Sequence, residues 1–268
     1  MMKSSFRRAT VAVAGGVLAS ATALAADVTF KDPIGDDNGP GNYVYPTDGV
    51  YTPGSFDLVE LDVKDGGNVG FEVTVNDALR DPWGMGVGFA VQMVFIFIDT
   101  KEGGHTVGLA GTNIAFAEDS AWDKVVILSP QPASRVQAEI RTKGGDVAGD
   151  IVVPRRTTGA GRTISAKVKK NELGEGDPAT WGYQVVMQSN EGFPDKSDLL
   201  TRKVNEYEGQ HRFGGGNDAD CDPHVMDILA GKGEGADSEK QAQYDMLAYE
   251  CGPEGGAVKM ATLTMVRK

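Results

Sequence analysis

The sequence predicts an all-β fold: an antiparallel β-sandwich of the jelly-roll type, with one short helical insertion near the C-terminus. Three observations predict it. Short segments with alternating apolar and polar residues recur along the chain. Clusters of Gly, Asp and Asn separate them as tight connections, in a chain with 36 glycines among 268 residues. Only one segment has the composition of a helix.

The first 25 residues read as a secretory leader. Lys3, Arg7 and Arg8 make a basic start, Thr10 to Leu24 is an apolar and small-residue run, and Ala23-Leu24-Ala25 fits a cleavage site. The run is short for a membrane span, so no transmembrane anchor is expected after cleavage. Residues 26–268 are then expected to form one domain, periplasmic or secreted.

The strands follow in order. Phe56 to Val63 (FDLVELDV) and Val69 to Val75 (VGFEVTV) alternate with period two, as half-buried strands do. Ala90 to Ile98 (AVQMVFIFI) is continuously apolar and predicts a central strand covered on both faces. Further strands are expected at Thr106–Leu109, Asn113–Phe116, Lys124–Leu128, Arg135–Arg141, Thr163–Lys169, Gly182–Gln188 and Met260–Val266. Asp65-Gly66-Gly67-Asn68, Lys101-Glu102-Gly103-Gly104 and Lys143-Gly144-Gly145-Asp146 read as hairpin connections. The helix is expected over Ser238 to Tyr249, with Ser238 as cap and Gln241 completing a capping box.

Cys221 and Cys251 are the two cysteines. In an oxidising compartment they read as a disulfide closing a C-terminal loop, at roughly 3 kcal/mol on a chain-entropy estimate. Free thiols or metal ligands are the alternative. The bridge would staple the helix into an insertion over residues 213–257, whose Gly-rich part, Phe213 to Asp237, is the weakest ordered region and reads as a mobile flap.

The segment from Asp32 to Asp57 (DPIGDDNGPGNYVYPTDGVYTPGSFD) carries the strongest chemical signal. Its Gly and Pro content forbids a regular helix, and its aromatics argue against disorder. Asp32, Asp36, Asp37, Asp48 and Asp57 form a candidate calcium site, since this hard cation takes six to eight oxygens. Local turn chemistry, each Asp capping a nearby amide, accounts for the same residues. A second acidic string, Asn217 to Asp222, opens like a calcium loop. It then places Pro223 where glycine is needed and Leu229 where a glutamate is needed, so a solvated loop is expected.

The run DPIGDDNGPGNYVYPTDGVYTPGSFDLVELDV, followed by DPWGMGVGFAVQMVFIFID, resembles the C-terminal module of glucodextranase over roughly Lys31 to Asp99. FGGGNDADCDPHVMDIL, near Phe213 to Leu229, is similar to a late segment of the same family. Related modules occur in some pullulanases and surface-layer-associated proteins. The resemblance implies a DOMON-like sandwich, akin to family 9 carbohydrate-binding modules, and a non-catalytic role beside a glycosidase; here the module is read as standing alone. Trp83 lies in the shared Asp81-Pro82-Trp83-Gly84 motif. With Tyr43, Tyr45 and Tyr51 it is a candidate sugar-stacking platform, or alternatively it plugs one end of the core beside Phe89. Trp122 and Trp181 are expected in the core or at its rim.

The same architecture carries haem in a related periplasmic subunit, with Met93, His211 and His224 as candidate axial ligands. No C-x-x-C-H motif supports covalent attachment, and alternating Met residues on strands more often fill cores. The chain lacks G-x-S-x-G and H-E-x-x-H. Its net charge of −12 argues against a nucleic-acid partner. The favoured expectation is a non-catalytic, calcium-stabilised module that binds a carbohydrate or cell-envelope polymer, with a glycosidase or envelope protein in trans. A haem-binding electron-transfer protein, an accessory subunit of a periplasmic oxidoreductase and a structural envelope protein are the alternatives.

Overall fold

A computed structural model describes residues 27–191, 194–230 and 236–268. The leader, residues 1–25, lies outside the described residues, as does the side chain of the expected cap Ser238. In chain order the strands are β1 (Val28–Lys31), β2 (Leu58–Lys64), β3 (Asn68–Val75), β4 (Gln92–Asp99), β5 (Ile114–Phe116), β6 (Lys124–Leu128), β7 (Ile151–Val152), β8 (Thr157–Ala160), β9 (Thr163–Lys169), β10 (Gly182–Ser189), β11 (Asp227–Ile228), β12 (Glu250–Cys251), β13 (Ala257–Lys259) and β14 (Ala261–Leu263). The helices are α1 (Ala133–Lys143), a single turn α2 (Lys170–Leu173) and α3 (Ala236–Leu247).

Two five-stranded sheets make the sandwich. The outer sheet has the order β1-β2-β3-β9-β8, and the central sheet β11-β10-β4-β6-β7. Alternation explains the outer sheet: Leu61, Val63, Phe71, Val73, Ile164 and Val168 point inward to one core, while Asp62, Lys64, Glu72, Ser165 and Lys167 point to solvent. The central sheet is apolar on both faces. Val94, Ile96 and Ile98 of β4 meet the first core, and Met93, Phe95 and Phe97 enter a second. Every residue of β4 is buried, as its continuous apolar run predicts. The second core is closed by Val136 and Ile140 of α1, Leu247 of α3, and the parallel pair β5–β14.

Buried glutamines fasten loops to the central sheet. Gln184 Nε2 donates to the Leu229 carbonyl (3.0 Å) and to the Thr264 carbonyl (2.9 Å). Gln188 Nε2 donates to the His224 carbonyl, and Gln92 Nε2 to the Ser55 carbonyl (2.9 Å). A buried amide left without a partner is costly, so these bonds fix where both acidic loops lie.

Several expectations change. Arg135–Arg141 is helical, not a strand: Pro132 precedes α1, and Val136 and Ile140 sit one turn apart on its buried face. Lys143-Gly144-Gly145-Asp146 therefore ends that helix in place of turning a hairpin. Thr106–Leu109 makes one isolated bridge, Val107 to Ala115, in place of a strand. Of the expected flap, Phe213 to Asp237, the part over Phe213–Leu229 packs against the sandwich, because Phe213, Val225, Met226, Ile228 and Leu229 are buried and β11 pairs with β10; residues 231–235 lie outside the described residues. Cys221 and Cys251 are bonded, with Cα atoms 5.6 Å apart, and the bridge ties α3 to the sandwich.

Replacing both cysteines by alanine is expected to lower the unfolding free energy by about 3 kcal/mol in non-reducing denaturant melts. A change below about 1 kcal/mol would show that the bridge does not constrain the unfolded chain.

Candidate metal centre

β1 stops at Lys31 because Pro33 cannot continue the ladder; the Asp32 N–H makes a last bond to the Val59 carbonyl (3.0 Å). The chain then turns through Gly35 and Gly39, both at positive φ. At Gly39 a side chain would overlap the Tyr43 ring and the Val225 carbonyl, so only glycine fits. The Gly39 N–H donates to the Met226 carbonyl (2.8 Å), which lays the acidic loop against the start of β11. There Asp227 enters from the other side.

Asp32, Asp36 and Asp227 are all buried, and each offers a carboxylate oxygen within 4.8 Å of the others. Their partners are few. Asp32 Oδ1 accepts the Ala230 N–H (3.0 Å), while Oδ2 has no hydrogen-bond partner among the described residues. Asp36 is fully buried, and neither of its oxygens has a hydrogen-bond partner among the described residues. Asp227 accepts the Leu58 N–H (2.6 Å) and the Ile228 N–H (2.8 Å), one on each oxygen. Asp57 stands behind them, with both oxygens on the Gly35 N–H (3.0 Å each) and one on Asn76 Nδ2 (2.9 Å).

Burial, followed by repulsion from Asp36, holds the Asp32 carboxyl well above the usual carboxylate range. Burial, then repulsion from Asp32 and Asp36, does the same to Asp227. Burial and then Asp57 push Asp36 up to about 7, and burial pushes Asp57 up to about 6 despite the Gly35 amide. α3 braces the cage. Gln243 is buried, accepts the Ile228 N–H (3.1 Å), and donates to the carbonyls of Asp36 (2.5 Å) and Gly39 (3.4 Å). Lys240 Nζ reaches the Gly35 carbonyl (3.3 Å).

Three carboxylates with three unpartnered oxygens, drawn from distant parts of the chain, fit a hard divalent cation. Of the five aspartates expected to form such a site, Asp32 and Asp36 do converge, and Asp57 supports them from behind. Asp37 points away and accepts the Tyr45 hydroxyl. Asp48 is elsewhere: it accepts Gln210 Nε2 (3.1 Å) and the Val50 N–H (3.0 Å), which lower its pKa, as local turn chemistry would. Asp227 is the residue that sequence reasoning missed. Its signal was a single acid inside the apolar run Val225-Met226-Asp227-Ile228-Leu229.

The expected aromatic platform is not assembled. Tyr43 is 6% exposed and Tyr51 4% exposed, and both belong to the first core. Tyr45 packs between Phe56 and Phe213. Tyr43 and Tyr51 offer no open face for stacking and Tyr45 is only partly exposed, because the loop folds inward to cover the end of the sandwich. Trp83 packs at the rim of that core, edge-on to Tyr51 and His211. Trp122 and Trp181 are core residues.

Of the candidate haem ligands, Met93 lies in the second core. His224 is fully buried: Nε2 meets Asp220 Oδ1 (2.8 Å) and Nδ1 accepts the Val204 N–H (3.2 Å). His211 sits against Tyr51 and Trp83. The second acidic string folds on itself. Asn217 caps Ala219, Asp220 pairs with Lys203 (2.5 Å), and Asp222 is buried, accepting the Asn217 N–H (3.0 Å) and the Tyr43 hydroxyl (3.2 Å).

The family model described as the C-terminal binding module, SLH-like, of glucodextranase matches residues 28–265. No curated protein matches the chain.

The raised carboxyls give the metal-free protein a definite pH response. Asp36 and Asp57 keep protons in the folded state that they lose in the unfolded state, where a carboxyl titrates near the ordinary 3.8. Their contribution is therefore greatest below that value and is lost as pH rises through about 6 to 7. In chelator, the melting temperature is expected to fall between pH 5 and pH 8. A rise over that window would mean that the four acids are not desolvated together.

Proposed function

The chain belongs to the family of the C-terminal, SLH-like binding module of glucodextranase, and we propose that it is an exported, non-catalytic module that binds a carbohydrate or cell-envelope polymer, with one calcium ion fixing its loop layer. The carrying observation is the buried cage itself: Asp32, Asp36 and Asp227 converge, with three carboxylate oxygens of Asp32 and Asp36 that no donor among the described residues satisfies. Leaving buried polar atoms unpaired is costly, and a bound cation removes that cost.

The donor set selects the ion. All three donors are carboxylates, without His or Cys, which disfavours zinc. Magnesium keeps most of its water, whereas calcium accepts irregular, mostly protein oxygen shells. The ion would join β1, the acidic loop and β11 at one point, and Gln243 would carry that order into α3. Export is supported by the leader-like residues 1–25 and by the disulfide, which suits an oxidising compartment. Among the described residues no helix is long and apolar enough to cross a membrane. A glycosidase or another envelope protein would act in trans.

At pH 8, calcium in thousandfold excess over its dissociation constant is expected to stabilise the protein by about 4 kcal/mol. Asp36→Asn and Asp227→Asn should abolish that gain, while in chelator Asp36→Asn should melt no lower than the native protein, since it removes a repelled charge. A calcium-independent melting curve for the native protein would contradict the metal reading. Retardation in native gels containing an immobilised glycan tests the binding reading separately, and free migration through neutral and acidic polymers alike would count against it.

A further inference from the structure

The open face of the outer sheet carries a feature that the metal centre does not explain. Pairing places Lys64 of β2 opposite Gly70 of β3, and Gly70 opposite Lys167 of β9. Arg156 continues the row, because the next residue, Thr157 of β8, pairs with Ala166. Lys64, Lys167 and Arg156 are exposed and border one trough of about 660 Å³. Strands lie about 4.8 Å apart, so the row sets three cations across the sheet, with Gly70 as a buried, side-chain-free floor between Lys64 and Lys167.

Gly70 has no internal reason to be glycine. Its φ is not positive, and an added Cβ would meet nothing nearer than Lys64 Cβ at 3.5 Å, an ordinary contact. Glycine inside a strand weakens it and commonly marks close approach by another molecule. The next row supplies hydroxyls: Ser165 of β9 pairs with Thr158 of β8 and with Glu72 of β3.

The β8–β9 side of this face favours anions, although the whole chain is strongly acidic. The carboxylates of Asp62 and Asp27 lie on its β1–β2 side, and the others are held in ion pairs. Glu72 pairs with Lys64 (2.6 Å), Glu60 with Lys31 and Asp65 with Lys170 (2.9 Å), and Asp62 accepts the Thr29 hydroxyl. Lys167 and Arg156 have no ion-pair partner among the described residues, which leaves their charge unspent.

We propose that the Lys64–Gly70–Lys167–Arg156 row is the subsite for an acidic polysaccharide. Carboxylates of the glycan meet Lys167 and Arg156, its ring lies over Gly70, and its hydroxyls bond Ser165 and Thr158. This rests on the polymer-binding reading above and names the class of polymer. A planar guanidinium suits a carboxylate, and a strip spread across strands suits an extended chain.

Titration calorimetry of the full protein in calcium, with hyaluronan oligosaccharides as acidic probe and dextran oligosaccharides as neutral probe, tests it. Hyaluronan is expected to bind and dextran not, with affinity falling as salt rises. Arg156→Ala and Lys167→Ala should each weaken binding about tenfold. Gly70→Val, which fills the trough without changing charge and suits a strand, should abolish binding with no loss of melting temperature. Equal hyaluronan binding by all three variants would overturn the location. Dextran binding without hyaluronan binding would overturn the acidic class while leaving the polymer-binding reading intact. If the native protein binds neither, both readings fall.

Discussion

Four carboxylates are buried together at the end of this sandwich, and the loop layer depends on how their charge is neutralised. Asp32, Asp36, Asp57 and Asp227 come from the end of β1, the following loop, the approach to β2 and the start of β11. Burial alone disfavours their ionised forms, and each neighbour raises the penalty. Protons relieve the repulsion at low pH. Under the proposed function, a divalent cation would relieve it at neutral pH and would also give the unpartnered oxygens of Asp32 and Asp36 a partner.

The rest of the layer is arranged around that point. Gln243 links the carbonyl of Asp36 to the backbone of Ile228, so α3 touches both halves of the cage. The Cys221–Cys251 bridge holds α3 close by shortening the unfolded chain between its flanks. Gln184 and Gln188 hold the Leu229 and His224 carbonyls to the central sheet, which fixes Asp227 in register. Tyr43, Tyr45 and Tyr51 turn inward because the folded loop must cover the end of the first core. The aromatics close this end of the domain, and the polar side of the outer sheet stays exposed.

Much of the fold was legible because the strands obey simple periods. Lys124–Leu128 and Thr163–Lys169 match β6 and β9 at both ends, and the unbroken apolar run of β4 correctly implied two cores. Arg135–Arg141 misled because Val136, Ala138 and Ile140 satisfy a strand period while Val136 and Ile140 also satisfy a helical one; Pro132 and tertiary packing decide between them. The site was half legible. Asp32 and Asp36 stood out by composition, but loop residues have no period to tell which acids face inward. Adjacent Asp36 and Asp37 consequently go opposite ways. Asp227 was hidden because its strand has two residues and its partners lie far away in sequence.

The most direct measurement is a crystal structure of the protein grown with calcium, using anomalous scattering to identify the ion. The account predicts a single peak bound at about 2.3–2.6 Å by oxygens of Asp32, Asp36 and Asp227. An empty cage, with the three carboxyls protonated and bonded to one another, or a calcium bound at another place, would contradict it.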